Sequence, residues 1–311
     1  MLNIRRKQAR VRKILCKFAS PYAEQLLERN DTDTPARLLR RTAYTKAIMK
    51  KQISDLLVAS ADRLSEKHVL LKLTDDKPLP EIMPGQFVEV RVDDTPGTFL
   101  RRPISVCFVD RDQNHLWLLV ATIGEGTRRL GRLKAGDRVN CIFPLGNGFT
   151  MPNGKGGSDG EKKMLLVGGG VGIAPLLYLG QQLSECGISP TFLLGGRSKS
   201  DLLLSDEFKK YGRVFYTTED GTAGEQGFVT QHTILRHEQF DQICTCGPKP
   251  MMVSVARYAQ EADVYCEASL ENLMACGLGA CLCCVEKTID GNLCVCKEGP
   301  VFDVKRLTWL D

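Results

Sequence analysis

The sequence predicts an α/β chain with an additional all-β part: an antiparallel β-barrel, a doubly wound parallel sheet and a small cysteine-rich C-terminal domain. Three observations predict this architecture. Short strands follow one another without helices before residue 150, strands and helices alternate after residue 162, and seven of the 13 cysteines fall between Cys266 and Cys296. We therefore predict domains over residues 50–155, 160–262 and 263–311, preceded by an extension over residues 1–48.

The size and composition of the chain indicate a globular protein. It has 311 residues, 43% of them hydrophobic, which is enough to bury two or three domain cores. No run approaches the roughly 18 consecutive apolar residues that cross a bilayer, and residues 1–12 lack the apolar centre of a signal peptide. We expect a cytoplasmic protein that does not act on membranes.

Positive charge is concentrated at the N-terminus. Residues 1–48 contain 12 Lys/Arg against four Asp/Glu, whereas the rest of the chain is mildly acidic. No nucleic-acid partner is therefore expected for the body of the chain. The segment has two interpretations: an arm that binds a partner or a membrane surface, or an artefact of start-site choice, because Met49-Lys50-Lys51 resembles a natural beginning.

The predicted barrel consists of short strands separated by turn signals. Tight turns are indicated by Pro84-Gly85 and Ala135-Gly136-Asp137. Strands are predicted over residues 68–73, 87–92, 104–109, 115–121 and 138–143. Many short strands without intervening helices favour a small antiparallel barrel.

A glycine-rich loop opens the second domain. Residues 151–161 have linker composition, a buried strand is predicted over 163–167, and a helix follows through Leu183. The loop between strand and helix would let the backbone approach a pyrophosphate. A bare glycine-rich turn is as often structural, but the strand before it, Pro175 in the first helical turn and the helix after it favour a dinucleotide. Its candidate binding residues are Gly168, Gly169, Gly170, Gly172, Ile173, Ala174 and Pro175.

A second loop is predicted beside the first. Cys246, Gly247 and Pro248 follow a strand that begins at Gln242 and precede another helix, so both loops would lie at the carboxyl edge of one parallel sheet. Thr218-Glu219-Asp220-Gly221 would supply a third loop. A dinucleotide would fit the crevice between them, while ordinary strand–helix turns are the alternative.

Two stretches of the barrel carry groups that suit a flavin nucleotide. In Arg102-Pro103-Ile104-Ser105 a guanidinium could pair with phosphate and a hydroxyl could hydrogen-bond a flavin ring nitrogen. Gly126 and Thr127 offer backbone donors and a hydroxyl for a second phosphate. Each stretch taken alone is equally compatible with a structural turn.

The cysteine spacing is the most specific signal in the chain. Cys276, Cys281 and Cys284 have the x4-x2 spacing of plant-type [2Fe-2S] loops, and Cys296 follows at a distance. Structural zinc is the alternative, but zinc sites more often read as two Cys-x2-Cys pairs. Cys283 and Cys294 neighbour the candidate ligands, whereas Cys244 and Cys266 are expected to be inert core thiols. The four histidines have no ligand spacing, and no catalytic acid or base is predicted.

The order of these motifs resembles that of the ferredoxin-NADP reductase superfamily. The resemblance implies FAD on the barrel and a nicotinamide nucleotide on the second domain. It would place Arg102 at an FAD phosphate, Ser105 at the isoalloxazine and Gly126-Thr127 at the pyrophosphate. Along the flavin it would place Leu119, Val120 and Ala121.

The tail from Ser269 to Cys281, with Cys296 to Asp303, resembles the family of electron-transfer subunits of dihydroorotate dehydrogenase B. This resemblance implies a relay in pyrimidine (UMP) biosynthesis: electrons from a partner FMN-containing catalytic subunit pass through [2Fe-2S] and FAD to NAD⁺, in a heterotetramer with two copies of each subunit.

Two other functions stay open. One is a subunit of an NADH-dependent ferredoxin-NADP oxidoreductase or of a sulfide dehydrogenase, and the other is a zinc-stabilised interaction module. NADP is also open beside NAD, because Arg197 and Ser198 follow a predicted strand and could meet a 2′-phosphate.

Overall fold

The computed structural model describes residues 51–152 and 162–310, so the basic segment 1–48 and most of the predicted linker lie outside the described residues. The first half is a closed antiparallel barrel in the order β1-β2-β5-β4-β3-β6. The strands are β1 (Gln52–Ser65), β2 (His68–Thr74), β3 (Phe87–Val90), β4 (Arg102–Asp110), β5 (His115–Ala121) and β6 (Arg138–Leu145). A short helix, α1 (Glu125–Leu130), follows β5.

The predicted barrel is confirmed, but its first strand was missed. Five strands are predicted from the sequence, whereas β1 adds a sixth that pairs with both β2 and β6. Only Leu56 and Val58 of its 14 residues are buried. Because so few apolar side chains face the core, β1 lacks the alternating pattern from which a strand is predicted.

A seven-stranded sheet forms the second half, in the order β10-β9-β8-β7-β11-β12-β15. Its strands are β7 (Met164–Gly169), β8 (Thr191–Gly196), β9 (Arg213–Thr218), β10 (Glu225–Gln226), β11 (Gln242–Cys246), β12 (Tyr265–Ser269) and β15 (Val301–Asp303). All neighbours pair in parallel except β12 and β15, which are antiparallel. Its helices are α2 (Ala174–Glu185), α3 (Ser205–Lys209), α4 (Ile234–His237) and α5 (Lys249–Glu261).

The cysteine-rich segment shares this sheet. Two strands beyond residue 262, β12 and β15, extend it, and between them lie a hairpin of β13 (Val285–Thr288) and β14 (Gly291–Cys294) and the one-turn helix α6 (Val295–Glu298). Among the described residues, no helix is both long and apolar enough to cross a membrane.

Polar contacts join the barrel to the sheet. The Tyr178 hydroxyl on α2 donates to the Ile82 carbonyl at 3.0 Å, and the ring lies 6.2 Å from that of Phe108 on β4. On the other side, Glu267 of β12 accepts from the backbone N–H and the hydroxyl of Thr150, just after the barrel, at 3.0 and 2.6 Å. The hydrogen bonds of Tyr178 and of Glu267 therefore fix the seven-stranded sheet against the barrel.

Candidate functional site

The two glycine loops predicted from the sequence meet at the centre of the sheet. Strands β8 to β10 lie on one side of β7, whereas β11 and β12 lie on the other. The strand order therefore reverses between β7 and β11. In open α/β sheets, ligands bind in the crevice at such a reversal, beyond the carboxyl ends of the strands. The loop after β7 and the loop after β11 flank this crevice.

The backbones of the two loops are in direct contact. A Cβ added at Gly172 would lie 2.4 Å from the Cα of Gly247, and one added at Gly247 would lie 3.0 Å from the Gly169 carbonyl oxygen. Neither position has room for a side chain. The loops therefore require glycine for their close approach, as a backbone pyrophosphate cradle does.

The predicted nucleotide residues differ in accessibility. Gly170 is partly exposed, has φ of +57°, and has open space where a side chain would be. Pro248 is exposed at the start of α5. The remaining candidates are buried within the two loops and their flanking strands and helices: Gly168, Gly169, Gly172, Ile173, Ala174, Pro175, Cys246 and Gly247. The Cys246 thiol faces Glu271, 3.8 Å from a carboxylate oxygen, a contact that the sequence does not predict.

The predicted flavin residues gather at one end of the barrel. Strand β4 begins at Arg102 and runs antiparallel to β5, so its first residues lie beside the last residues of β5. The guanidinium of Arg102 packs on Gly126 of α1, where an added Cβ would lie 2.9 Å from Nε. The two phosphate-binding stretches predicted separately are thus adjacent, and a fixed guanidinium beside backbone N–H groups suits a pyrophosphate.

The remaining flavin candidates line the same end. Pro103, Ile104, Ser105 and Thr127 are half-buried, and the Thr127 hydroxyl accepts from the Gly124 N–H at 3.0 Å. Of the three residues expected along the flavin, Leu119 and Val120 have side chains that are buried in the barrel core. The side chain of Ala121, at the end of β5, is half-buried.

This end of the barrel faces the nucleotide crevice. Strand β5 contacts the 3₁₀ turn Gly170–Ile173, and helix α2, which follows that turn, packs along β4. A flavin on the barrel and a nucleotide in the crevice would therefore be neighbours, as hydride exchange between them requires.

The four predicted cluster ligands form two neighbouring pairs. The thiol of Cys281 lies close enough to Cys276 to help lower its pKa, and that of Cys284 lies close enough to Cys296 to help raise its pKa. The N–H of Gly279, inside the loop, donates to Sγ of Cys296 at 3.1 Å and links the pairs. The tight path depends on Gly277 and Gly279, whose φ values are +64° and +81°.

The loop directs backbone N–H groups at the sulfurs. Leu278 donates to Sγ of Cys276 and Cys296 donates to Sγ of Cys284, both at 3.3 Å. Burial opposes ionisation of Cys276, but backbone N–H groups outweigh it and lower the pKa to about 6. Burial and the adjoining Cys284 raise the pKa of Cys296 to about 12, so that thiol would lose its proton on binding a metal.

The pairing suits a binuclear centre better than a single ion. A zinc ion would gather four cysteines around one point, whereas a [2Fe-2S] cluster takes two protein ligands on each iron. Cys283 is exposed beside the loop, and Cys244 and Cys266 are buried as expected.

Two barrel residues that contact the cysteine segment are not predicted from the sequence. Asn147, just after β6, donates its side-chain amide to the Lys297 and Glu298 carbonyls at 3.0 Å, at the end of the helix that carries Cys296. Glu89 on β3 is fully buried against Gly277. Neither belongs to a motif, because each contact depends on how distant segments fold together.

Comparison with known proteins agrees with these sites. Residues 271–308 match the model of the iron-sulfur cluster binding domain of dihydroorotate dehydrogenase B. Residues 166–257 match that of the oxidoreductase NAD-binding domain. The first match contains all four paired cysteines, and the second contains both glycine loops.

Curated relatives match over most of their length and of this chain. The electron transfer subunit of dihydroorotate dehydrogenase B (NAD(+)) from Shouchella clausii is 35% identical over 260 residues, which cover 82% of this chain and 98% of the relative. Its counterpart from Bacillus velezensis is 36% identical over 262 residues, covering 83% and 99%. That from Fusobacterium nucleatum is 39% identical over 227 residues, covering 70% and 84%.

Solved structures show the same architecture. An NADH-dependent reduced ferredoxin-NADP oxidoreductase, described as performing flavin-based electron bifurcation, superimposes with a TM-score of 0.73 at 29% identity, covering 82% of this chain and 90% of that one. A ferredoxin reductase of carbazole 1,9a-dioxygenase has a TM-score of 0.57 at 19% identity, covering 70% and 68%, and supports the fold alone.

Proposed function

Because the chain belongs to the family of electron-transfer subunits of dihydroorotate dehydrogenase B, we propose that it relays electrons to NAD⁺ from dihydroorotate oxidised on a partner subunit. The relay would run from an FMN-containing catalytic subunit through a [2Fe-2S] cluster and FAD on this chain. It would serve de novo pyrimidine biosynthesis in a cytoplasmic complex of two copies of each subunit.

One observation carries the proposal: the paired cysteines, the flavin end of the barrel and the nucleotide crevice lie within one compact unit. The cysteine loop packs on β3 and on the turn after β6, and the flavin end of the barrel faces the crevice. A relay needs its carriers in sequence at short range, and neighbouring candidate sites within one compact unit support such a sequence.

Each group of residues has a distinct part in the proposal. The pairs Cys276/Cys281 and Cys284/Cys296 would hold the cluster, and the backbone N–H groups aimed at their sulfurs would adjust its potential. Arg102 and Gly126 would hold the FAD diphosphate. The Gly172–Gly247 contact would shape the NAD crevice. FAD links the two kinds of chemistry, because it exchanges hydride with nicotinamide and single electrons with iron–sulfur centres.

An apolar surface marks the place where the partner would dock. Leu273, Leu278 and Leu282 are all exposed on the segment that carries Cys276 and Cys281. Exposed apolar side chains grouped at a functional loop are typical of protein–protein interfaces. Docking here would bring the partner's redox centre next to the cluster, where electrons must enter.

The proposal is tested by the spectrum of the complex. The full chain is purified anaerobically with the partner that the cell supplies, and iron, sulfide, zinc, FAD and FMN are measured. We expect two irons and one FAD per copy of this chain, FMN on the partner, and bleaching of the visible spectrum by dihydroorotate. Zinc without flavin would instead indicate an interaction module.

A second function is favoured by one finding, the superposition on the NADH-dependent reduced ferredoxin-NADP oxidoreductase at a TM-score of 0.73. Subunits of that enzyme, or of a sulfide dehydrogenase, would carry the same cofactors with a different partner. The same preparation separates the two functions. Cluster and FAD that bleach with NADH but not with dihydroorotate, in a complex with another large flavoprotein, would support the second.

A further inference from the structure

Glu89 occupies an unusual position in the middle of β3. It pairs across the strands with Pro103 on β4 and Ile142 on β6. Its neighbours Val88 and Val90 point into the barrel core. Phe87, two residues away and therefore on the same face as Glu89, packs instead with the apolar cluster that contains Cys284 and Cys296. Glu89 thus points out of the barrel toward the cysteine segment.

The carboxylate is buried without a hydrogen-bond partner. Glu89 is 0% exposed, and within the described residues neither of its carboxylate oxygens has a partner. Arg101 donates to the backbone carbonyl of Glu89 at 3.2 Å and directs its other contacts to Asn140. An unpaired buried carboxylate destabilises a fold, so stability does not explain why a glutamate occupies this position. A function of the carboxylate would explain it.

The carboxylate lies against the predicted cluster loop. A Cβ added at Gly277 would lie 2.6 Å from Cγ of Glu89 and 3.0 Å from one of its carboxylate oxygens. Glu89 therefore touches the residue that directly follows Cys276. Burial raises the pKa of Glu89 to about 7, opposed by Arg101 and reinforced by Cys276.

We propose that the Glu89 carboxylate holds the reduction potential of the cluster lower than a neutral side chain would. This inference rests on the proposed cluster. A negative charge that water cannot screen disfavours the addition of an electron nearby, and the barrel wall and the cysteine loop both exclude water from Glu89. Glu89 is neither a ligand nor a proton donor in this role. It acts through its charge, from the strand that borders the flavin end of β4.

The experiment compares cluster potentials in the full chain at pH 9, chosen to lie above the raised pKa of Glu89. Iron and sulfide are measured first, and EPR-monitored titration with redox mediators follows. The variants are Glu89→Gln, which keeps the shape and removes the charge, and Glu89→Asp, which keeps the charge. Asp206→Asn on α3, where the side chain is 92% exposed, makes the same change in net charge at the surface.

We expect Glu89→Gln to favour the reduced cluster about tenfold, which for a one-electron couple is about 59 mV. Glu89→Asp and Asp206→Asn should stay within about threefold of the wild type, because one keeps the buried charge and the other removes a screened one. An unchanged potential in Glu89→Gln would overturn the inference, and so would loss of iron from that variant alone. A wild-type chain without iron would instead refute the proposed function.

Discussion

Cys281 and Cys283 are both exposed and only two positions apart, yet only Cys281 has the spacing of the predicted cluster ligands. Replacing Cys281 by Ser would remove one of the two thiolates proposed for one iron, and we expect the cluster to be lost while FAD stays bound on the barrel. Replacing Cys283 by Ser should leave two irons per chain. Iron, sulfide and flavin analysis of the two variants checks this, and an unchanged iron content in Cys281→Ser would refute the ligand assignment.

Gly126 offers a test of the flavin site that leaves the Arg102 side chain in the protein and only moves it. A methyl group at Gly126 would displace the Arg102 guanidinium, so we expect Gly126→Ala to weaken FAD binding by about tenfold, a free-energy change of about 1.4 kcal/mol. Fluorescence titration of the deflavinated protein with FAD measures it.

The matched control is Gly124→Ala, on the same turn. There the added Cβ would meet only the Thr127 hydroxyl, at an ordinary 3.8 Å, and φ is −102°, which alanine adopts freely. Equal FAD affinities in the two variants would argue against a diphosphate site at Arg102 and Gly126.

At the residue scale, sequence reasoning recovers groups whose chemistry depends on local spacing. The cysteine spacing predicts the pairs, and the strand–glycine–helix pattern predicts the nucleotide loops. Sequence reasoning does not find Glu89 or Asn147. Glu89 contacts Gly277 and Asn147 donates to the Lys297 carbonyl, and each contact joins segments about 150 to 190 residues apart in sequence. A buried Glu in a strand is also indistinguishable in sequence from a surface one.

At the scale of elements, the crevice depends on two loops that touch without side chains. Gly172→Ala would force its methyl group onto the Gly247 backbone, which cannot move as a side-chain end can. We expect a loss of about 1–3 kcal/mol of unfolding free energy, together with impaired NADH binding. Denaturant unfolding and NADH titration measure the two effects.

Gly170→Ala on the same loop separates crowding from backbone strain. Its φ of +57° makes alanine unfavourable, but no atom lies within 4 Å of the added Cβ. We expect about 1 kcal/mol of destabilisation from backbone strain alone. If Gly170→Ala destabilised the fold as much as Gly172→Ala, contact between the loops would not explain the need for glycine.

Whether an element can be predicted depends on how many of its residues reach the core. Strand β7 is buried at all six positions and is predicted almost to its bounds, whereas β1 buries only two side chains and is missed. Strand β15 has three residues, too few for a periodic pattern to be recognised. It also pairs with β12, far along the chain, so its place in the sheet is a tertiary property.

For the whole molecule, the order of the motifs predicts more than any single motif does. The superfamily fold and the family resemblance predicted from that order are confirmed by the relatives and by the matching domain models. The sequence does not show that the cysteine segment packs on the outer face of the barrel through Gly277 and Glu89. That contact is what would bring a cluster close to a flavin.

The same packing leaves the outer side of the cysteine loop free to bind a partner. Leu282 is 64% exposed next to Cys281 and has φ of +58°, a conformation that asparagine tolerates better than other polar residues. We expect Leu282→Asn to weaken association with the catalytic subunit about tenfold while iron and FAD contents stay unchanged, because a central apolar contact is lost.

Ile289→Asn, at a side chain 65% exposed on the neighbouring hairpin, makes a similar change away from the paired cysteines and should not alter the affinity. Sedimentation or calorimetry with the separately purified catalytic subunit measures both variants. Equal dissociation constants for wild type and Leu282→Asn would place the docking surface elsewhere and would leave electron entry through this side of the loop without support.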